Sequence, residues 1–195
     1  MTSFTDAFAF SYTQEGHTFY VLTFPTDNRT FVYDMTTGLW HERASLDTGS
    51  QVRWRANCYA FFNNKHYVGD YNSGKIYQLD TETYTENSAV ITRTRVTPLL
   101  VEQMNKRLTL GRLQIDFETA VGSSTTVTLE LSTDGGNTYG TDLTRTISSS
   151  STDYNKRSLW NRLGSYRNVT FKLTTSSTNR IVVLGAEADI IVGSD

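Results

Sequence analysis

Three observations predict an all-β chain: two propeller-like four-stranded blades followed by a β-sandwich-like domain. The chain nearly repeats itself, because the stretch from Thr30 to Trp40 is echoed from Lys75 to Thr85. Aligning Asp34 with Asp80 gives a period of about 46 residues, the length of a propeller blade. Apolar and polar residues alternate with period two through most of the sequence, as half-buried strands require. Aromatic residues reach 12% while hydrophobic residues total only 37%. Thin β layers suit that balance, since Tyr and Phe supply buried area and β propensity together.

The echo has specific chemistry. An aromatic and aliphatic strand ends in Asp34 or Asp80, whose carboxylate can accept the backbone NH two residues on. A Thr-rich turn and an aromatic residue, Trp40 or Tyr84, follow. Ahead of each copy, Phe19-Tyr20-Val21-Leu22 and His66-Tyr67-Val68-Gly69 both come after turn signals, Gln14-Glu15-Gly16-His17 and Asn63-Asn64-Lys65. Ala7 to Tyr12 alternates as a first strand, Asp47-Thr48-Gly49-Ser50 separates the blades, and Tyr71-Asn72-Ser73-Gly74 turns inside the second. Each unit therefore reads as a four-stranded meander.

Composition shifts near Asn87-Ser88, and the chain divides into 1–92 and 93–195. Val90 to Val96 reads as a strand. Leu99 to Arg107 is the one helical candidate, with Val101, Met104 and Leu108 at spacings of three and four; too short to stand without packing, it reads as either a short helix or an irregular linker. From Gly111 the β pattern resumes in Leu113–Glu118, Val127–Ser132, Val169–Thr174 and Ile181–Glu187. Asp134-Gly135-Gly136-Asn137 forms a hairpin turn, Ser148–Thr152 a polar loop, and the strand spacing is that of a sandwich.

The bulk numbers exclude several classes. Net charge is −2, which offers no global attraction to nucleic acid. No apolar run reaches 18 residues, so no helical membrane anchor is expected. Residues 1–6 lack the basic and apolar regions of a signal peptide. Cys58 is the single cysteine, so the fold cannot rest on an intrachain disulfide. Asn28-Arg29-Thr30 and Asn168-Val169-Thr170 match the glycosylation pattern by chance in a Thr-rich chain.

Three segments follow one another in the second half: Leu110-Gly111-Arg112-Leu113-Gln114-Ile115-Asp116-Phe117, Leu131-Ser132-Thr133-Asp134-Gly135-Gly136-Asn137-Thr138-Tyr139, and Arg162-Leu163-Gly164-Ser165-Tyr166-Arg167-Asn168-Val169-Thr170-Phe171. Together with Trp54-Arg55 and Tyr77-Gln78-Leu79-Asp80, they resemble the C-terminal part of the packaged-DNA stabilisation proteins of short-tailed bacteriophages, the tail hub or nozzle subunits. The resemblance covers most of residues 19–190 and rests on order and spacing. It implies a virion structural protein that forms a ring below the portal, continues the DNA channel and helps retain the packaged genome. The implied partners are further copies in the ring, a portal-side adaptor, a fibre or spike, a plug, and double-stranded DNA that passes without being read. The implied location is the virion tail, after synthesis in the host bacterial cytoplasm. Family members are longer, and blades that would precede Thr5 are absent from this sequence, as in a short relative or a C-terminal piece.

Several motifs invite chemistry. Ser132, Asp134, Gly136, Thr138 and Tyr139 nearly match the Asp box of sialidase propellers. Physically such a box caps a hairpin: Asp accepts backbone NH groups and the aromatic packs below. A glycosidase would need two carboxylates across a cleft, and Asp116, Glu118 and Glu130 fall on alternating positions that face solvent. His17, His41 and His66 have no partners at metal-ligand spacing, and neither a nucleophile elbow nor a phosphate loop occurs. No cofactor and no catalysis are expected. The alternative to a tail subunit is a carbohydrate- or protein-binding β module, or more remotely a degenerate Asp-box glycosidase.

Arg93, Arg95, Lys106, Arg107 and Arg112 form the one basic concentration. They either face DNA or an acidic neighbour, or belong to solvated strand faces and ion pairs. A channel that gripped DNA would slow its passage, since each neutralised phosphate adds affinity, and no aromatic platform interleaves the cations. The pairing-prone strands Val21–Phe24 and Cys58–Phe62 carry no charge, so unpaired edges would template another chain. Trp40, Trp54 and Trp160 are candidate interface anchors, with core packing as the alternative for each.

Overall fold

The computed structural model describes residues 3–102, 106–122, 125–154 and 156–193. The protein is all-β, with 62% of the described residues in strands, and divides into two compact units, Met1–Ala89 and Val90–Asp195.

In the first unit, β1 (Phe8–Gln14), β2 (His17–Phe24), β3 (Arg29–Asp34) and β4 (Leu39–Asp47) form an antiparallel meander, and β5 (Ser50–Arg53) continues it from the far end of β4. The second copy is β6 (Ala56–Phe62), β7 (Lys65–Asp70) and β8 (Ile76–Leu79). Two-residue loops close the tight hairpins. Glu15-Gly16, Thr48-Gly49 and Asn63-Asn64 all hold positive φ, the backbone that matches the right-handed twist of flanking strands.

The Asp turns form as the echo predicts. Asp34 accepts Thr36 NH at 2.9 Å and the Thr37 hydroxyl at 2.9 Å; Asp80 accepts Glu82 NH at 3.1 Å and the Thr83 hydroxyl at 2.9 Å. Asp70 repeats the pattern with Asn72 NH and the Ser73 hydroxyl, both at 2.8 Å. The copies differ in what comes next. Gly38, at φ 71°, returns an NH to Asp34 O and sends the chain straight into β4. Its counterpart is Tyr84, which adopts positive φ only with strain. The second blade accordingly has three paired strands where four were expected. The segment after Asp80 yields only β9 (Thr85–Glu86), which pairs with β10 (Ala89–Val90) and not with β8.

The core of this unit is aromatic. Tyr12, Val21, Val32, Trp54, Ala56 and Val68 are buried, with Phe10, Phe19, Tyr59 and Tyr77 packed against them. The Arg43 guanidinium lies 4.9 Å from the Trp54 ring and 5.1 Å from the Phe19 ring, a cation–π arrangement, and donates to Tyr12 Oη. Arg55 is 4% exposed. It reaches Asp70 at 3.3 Å, Asp47 at 3.5 Å and Glu86 at 3.8 Å, and donates to Leu46 O. One guanidinium thereby ties the β4–β5 hairpin, the end of β7 and β9. Burial pushes the Glu86 carboxyl up despite the cation beside it.

The second unit is a sandwich of two sheets. One has the order β11 (Thr92–Val96), β17 (Asn168–Ser176), β14 (Thr125–Ser132), β15 (Leu143–Ser148), with β12 (Leu100–Val101) also on β17; the other has the order β16 (Ser158–Tyr166), β13 (Leu108–Phe117), β18 (Val183–Val192). Of the two readings of 99–107, a short helix or an irregular linker, the helix does not form in the described part. Leu100 pairs with Val169 and packs on the core, because sheet pairing outweighs the weak propensity of so short a helix. Met104 lies outside the described residues. Along β13, Leu108 and Leu110 point inward, and so do Leu113, Ile115 and Phe117. A bulge between Leu110 and Arg112 switches the parity, opposite Arg162 and Gly164, which both hold positive φ. Leu110, Leu113, Ile115 and Phe117 meet Val127, Leu129, Ile147, Trp160, Val169 and Phe171 in the core.

Replacing Arg55 by Met strands the fully buried side chain of Asp70 without its cation and should cost about 3–5 kcal/mol. A lower urea midpoint would report it, while Arg29→Ala, which breaks a pair exposed at both ends, should cost about 0–1 kcal/mol. Burial pushes the Asp34 carboxyl up, yet hydrogen bonds from His17, Thr37 and Thr36 outweigh burial and hold it at about 2, against an ordinary 3.8. A depressed folded value contributes stability above the ordinary value and loses it as pH falls through the folded one. Thermal melts between pH 5 and pH 2 should show the loss on the acid side, and Asp34→Asn should remove part of that slope.

Candidate functional site

The Asp-box residues form a cap at the β14–β15 connection. Asp134 accepts the Thr138 hydroxyl at 2.6 Å, Thr138 NH at 2.9 Å, the Ser132 hydroxyl at 2.7 Å and Asn137 NH at 3.0 Å. Those bonds, led by the Thr138 hydroxyl, hold its carboxyl well below the usual carboxylate range. Gly135 and Gly136 supply positive φ, and the Ser132 hydroxyl also accepts Gly136 NH. Tyr139 packs back on the sheet, with Lys172 Nζ 4.1 Å from its ring. Both Asp134 oxygens are committed to the turn, so none is available as an acid, base or nucleophile.

A groove of about 480 Å³ lies beside this loop, lined by Thr138, Tyr139, Leu143, Arg162 and Tyr166 among others, with no carboxylate or histidine in its lining. Glycoside hydrolysis needs two carboxylates across such a cleft. The three considered from sequence stand elsewhere: Glu130 pairs with Lys172 at 2.7 Å, Glu118 with Arg180 at 3.3 Å, and Asp116 accepts from Gln114. Glu130 belongs to one sheet and Asp116 to the other. A second groove, of about 400 Å³, borders Glu15, His66 and Asp80, but the Asp80 carboxylate is held in its turn. His17 Nδ1 meets Asp34 at 2.8 Å and His66 Nδ1 meets the Tyr59 hydroxyl at 2.9 Å. Among the described residues no group of three or more His, Cys, Asp or Glu could hold a metal ion.

The basic residues lie on different elements. Arg93 and Arg95 lie on β11, in one sheet, and Arg93 donates to Asn179 O and Ser177 O. Arg112 lies on β13, in the other sheet, with Asp189 at 3.1 Å. Lys106 and Arg107 precede β13 outside any strand. The tryptophans divide as well. Trp160 is 1% exposed and donates Nε1–H to Leu143 O at 2.7 Å. Trp54 is buried among Phe10 and Arg43. Neither side chain has surface to offer a partner, because each fills its own core. Trp40, against Tyr33, is exposed.

The strand edges differ from expectation in one case. Val21–Phe24 belongs to β2, which is paired on both sides, so it is no edge; β6, which holds Cys58–Phe62, is one. Phe61, Phe62 and Ile76 stand exposed on β6 and β8. Two features escaped sequence reasoning. The Arg55 carboxylates lie 8, 15 and 31 positions away with no shared motif. The free edge of β18 is set only by sheet order.

Such an arrangement defines a structural β module with committed polar groups and open edges. The chain belongs to the family of the bacteriophage P22 Gp10 protein, the tail hub or nozzle proteins of short-tailed phages: residues 2–84 match the β-propeller region of that family and residues 92–191 its β-sandwich. It is therefore of a phage structural class, a component of the virion tail. Comparison with curated proteins finds no match.

If the Asp134 cap is purely structural, Asp134→Ala should lower the thermal midpoint by roughly 2–4 °C and leave assembly unchanged. Loss of assembly in the folded variant, read by light scattering, would instead place the loop at a contact.

Proposed function

We propose that this protein works by assembly. Copies stand in a ring in the phage tail, continue the DNA channel, help retain the packaged genome and give purchase to other tail proteins: a portal-side adaptor, a fibre or spike, and a plug. The observation that carries the reading is the match of both units, in order, to the propeller and sandwich regions of one tail-protein family. Two further observations support it. Open strand edges invite a neighbouring chain. The basic residues are dispersed and partly engaged, on a chain of net charge −2, which suits a lumen through which double-stranded DNA slides without its sequence being read. Synthesis in the host cytoplasm fits a fold whose lone cysteine, Cys58, is free. Among the described residues no helix is long and apolar enough to cross a membrane.

Light scattering behind a sizing column, on dilute and concentrated samples, tests this. A single high-mass species stable to dilution is expected, with no retention of duplex DNA at physiological salt. A monomer at every concentration would overturn the reading, and retardation of that monomer on a polysaccharide column would favour a glycan-binding module.

A further inference from the structure

The two flanks of the sandwich are finished differently. On one, β15 and β16 are laced together by side chains: Trp160 Nε1–H donates to Leu143 O and Arg145 Nε–H to Leu159 O. The sheet orders place β18 on the opposite flank, at the end of its sheet. There β13 pairs with one edge of β18 and, among the described residues, no strand pairs with the other.

The side chains of β18 are as uncovered as its backbone. Directly opposed residues of an antiparallel pair share a face of the sheet. Leu108, Leu110 and Phe117 of β13 are 3%, 1% and 5% exposed, whereas their partners Val192, Ile190 and Val183 are 46%, 36% and 53% exposed. The facing sheet therefore covers β13 and stops short of β18. Leu184 and Ile191 are exposed at 69% and 67%. A ten-residue strand with a free edge and apolar side chains in the open is a surface that proteins normally cover.

We propose that the free edge of β18 receives a strand from a neighbouring copy of this chain, in a head-to-tail contact that extends the β16-β13-β18 sheet. The proposal rests on the reading of the chain as an assembling subunit and names the strand that assembles. Charge selects the occupant. In a two-fold antiparallel pairing of β18 with itself, one residue faces its own copy at the centre. Registers centred on 187, 188 or 189 set Glu187 against Glu187, Glu187 against Asp189, or Asp189 against Asp189. Like charges directly opposed destabilise a ladder, so the registers that pair most of the strand are disfavoured. A strand without carboxylates removes that conflict. The chain carries such strands at other sheet ends: β6, β8 and β11, the last with the exposed Arg95 to answer Glu187. A contact between two different edges is heterologous, and its repetition closes a ring where the rotation closes.

The test is Ile191→Lys in the full chain. Ile191 is exposed, so the variant should keep its circular dichroism spectrum and melting point while the high-mass species falls to monomer. Hydrogen exchange on the wild type gives a second readout: β18 amides should exchange at least tenfold more slowly in concentrated than in dilute samples. A folded Ile191→Lys protein that assembles like the wild type, with β18 amides unprotected, would overturn the β18 contact and leave the tail-subunit reading intact. A wild type that stops at a dimer would overturn head-to-tail addition. A wild type that never assembles would sink the tail-subunit reading itself.

Discussion

A guanidinium cannot be buried alone, and the first unit is organised around that constraint. Arg55 has almost no exposed surface, and the desolvation of its charge is offset only where carboxylates converge on it. Asp47, Asp70 and Glu86 come from three different elements, so the charge is balanced by carboxylates that only the folded unit brings together. Asp70 has two duties, since the carboxylate that meets Arg55 also caps the turn after β7. Local turn chemistry and long-range ion pairing are coupled through one side chain. Glu86 extends the arrangement to β9, the short strand paired with β10.

The sandwich meets a different constraint. Its core is apolar, and a strand that changes parity must change it at a bulge. The bulge between Leu110 and Arg112 does so, keeping five apolar side chains of β13 facing inward. The same strand lies between β16 and β18 and is the last on that flank whose inward side chains are buried. Beyond it, β18 has backbone pairing on one side only. One flank thus ends in an edge finished by side-chain bonds and the other in an edge left open.

Much of this was legible in the sequence, because its causes are local. Asp followed by Thr at the third position predicts the turn at Asp34 and at Asp80, and a Gly or an Asn pair predicts the two-residue hairpins. Period-two alternation locates β13, β14 and β17. The repeat also predicted a fourth strand for the second blade. That strand does not form, and the difference traces to Tyr84 standing where the first copy has Gly38. The helix read between Leu99 and Arg107 rested on three apolar spacings and gave way to pairing with β17, whose contribution no local window contains.

By itself the sequence determined the class of the fold, the turn chemistry and the family, for these depend on neighbours in the chain and on the order of motifs. The tertiary structure alone decided which strands are edges, which tryptophans are core, and which carboxylates surround Arg55. Pairing across a sheet joins residues far apart in the chain. A strand such as Val183–Val192 reads the same whether it lies at the centre of a sheet or at its open end.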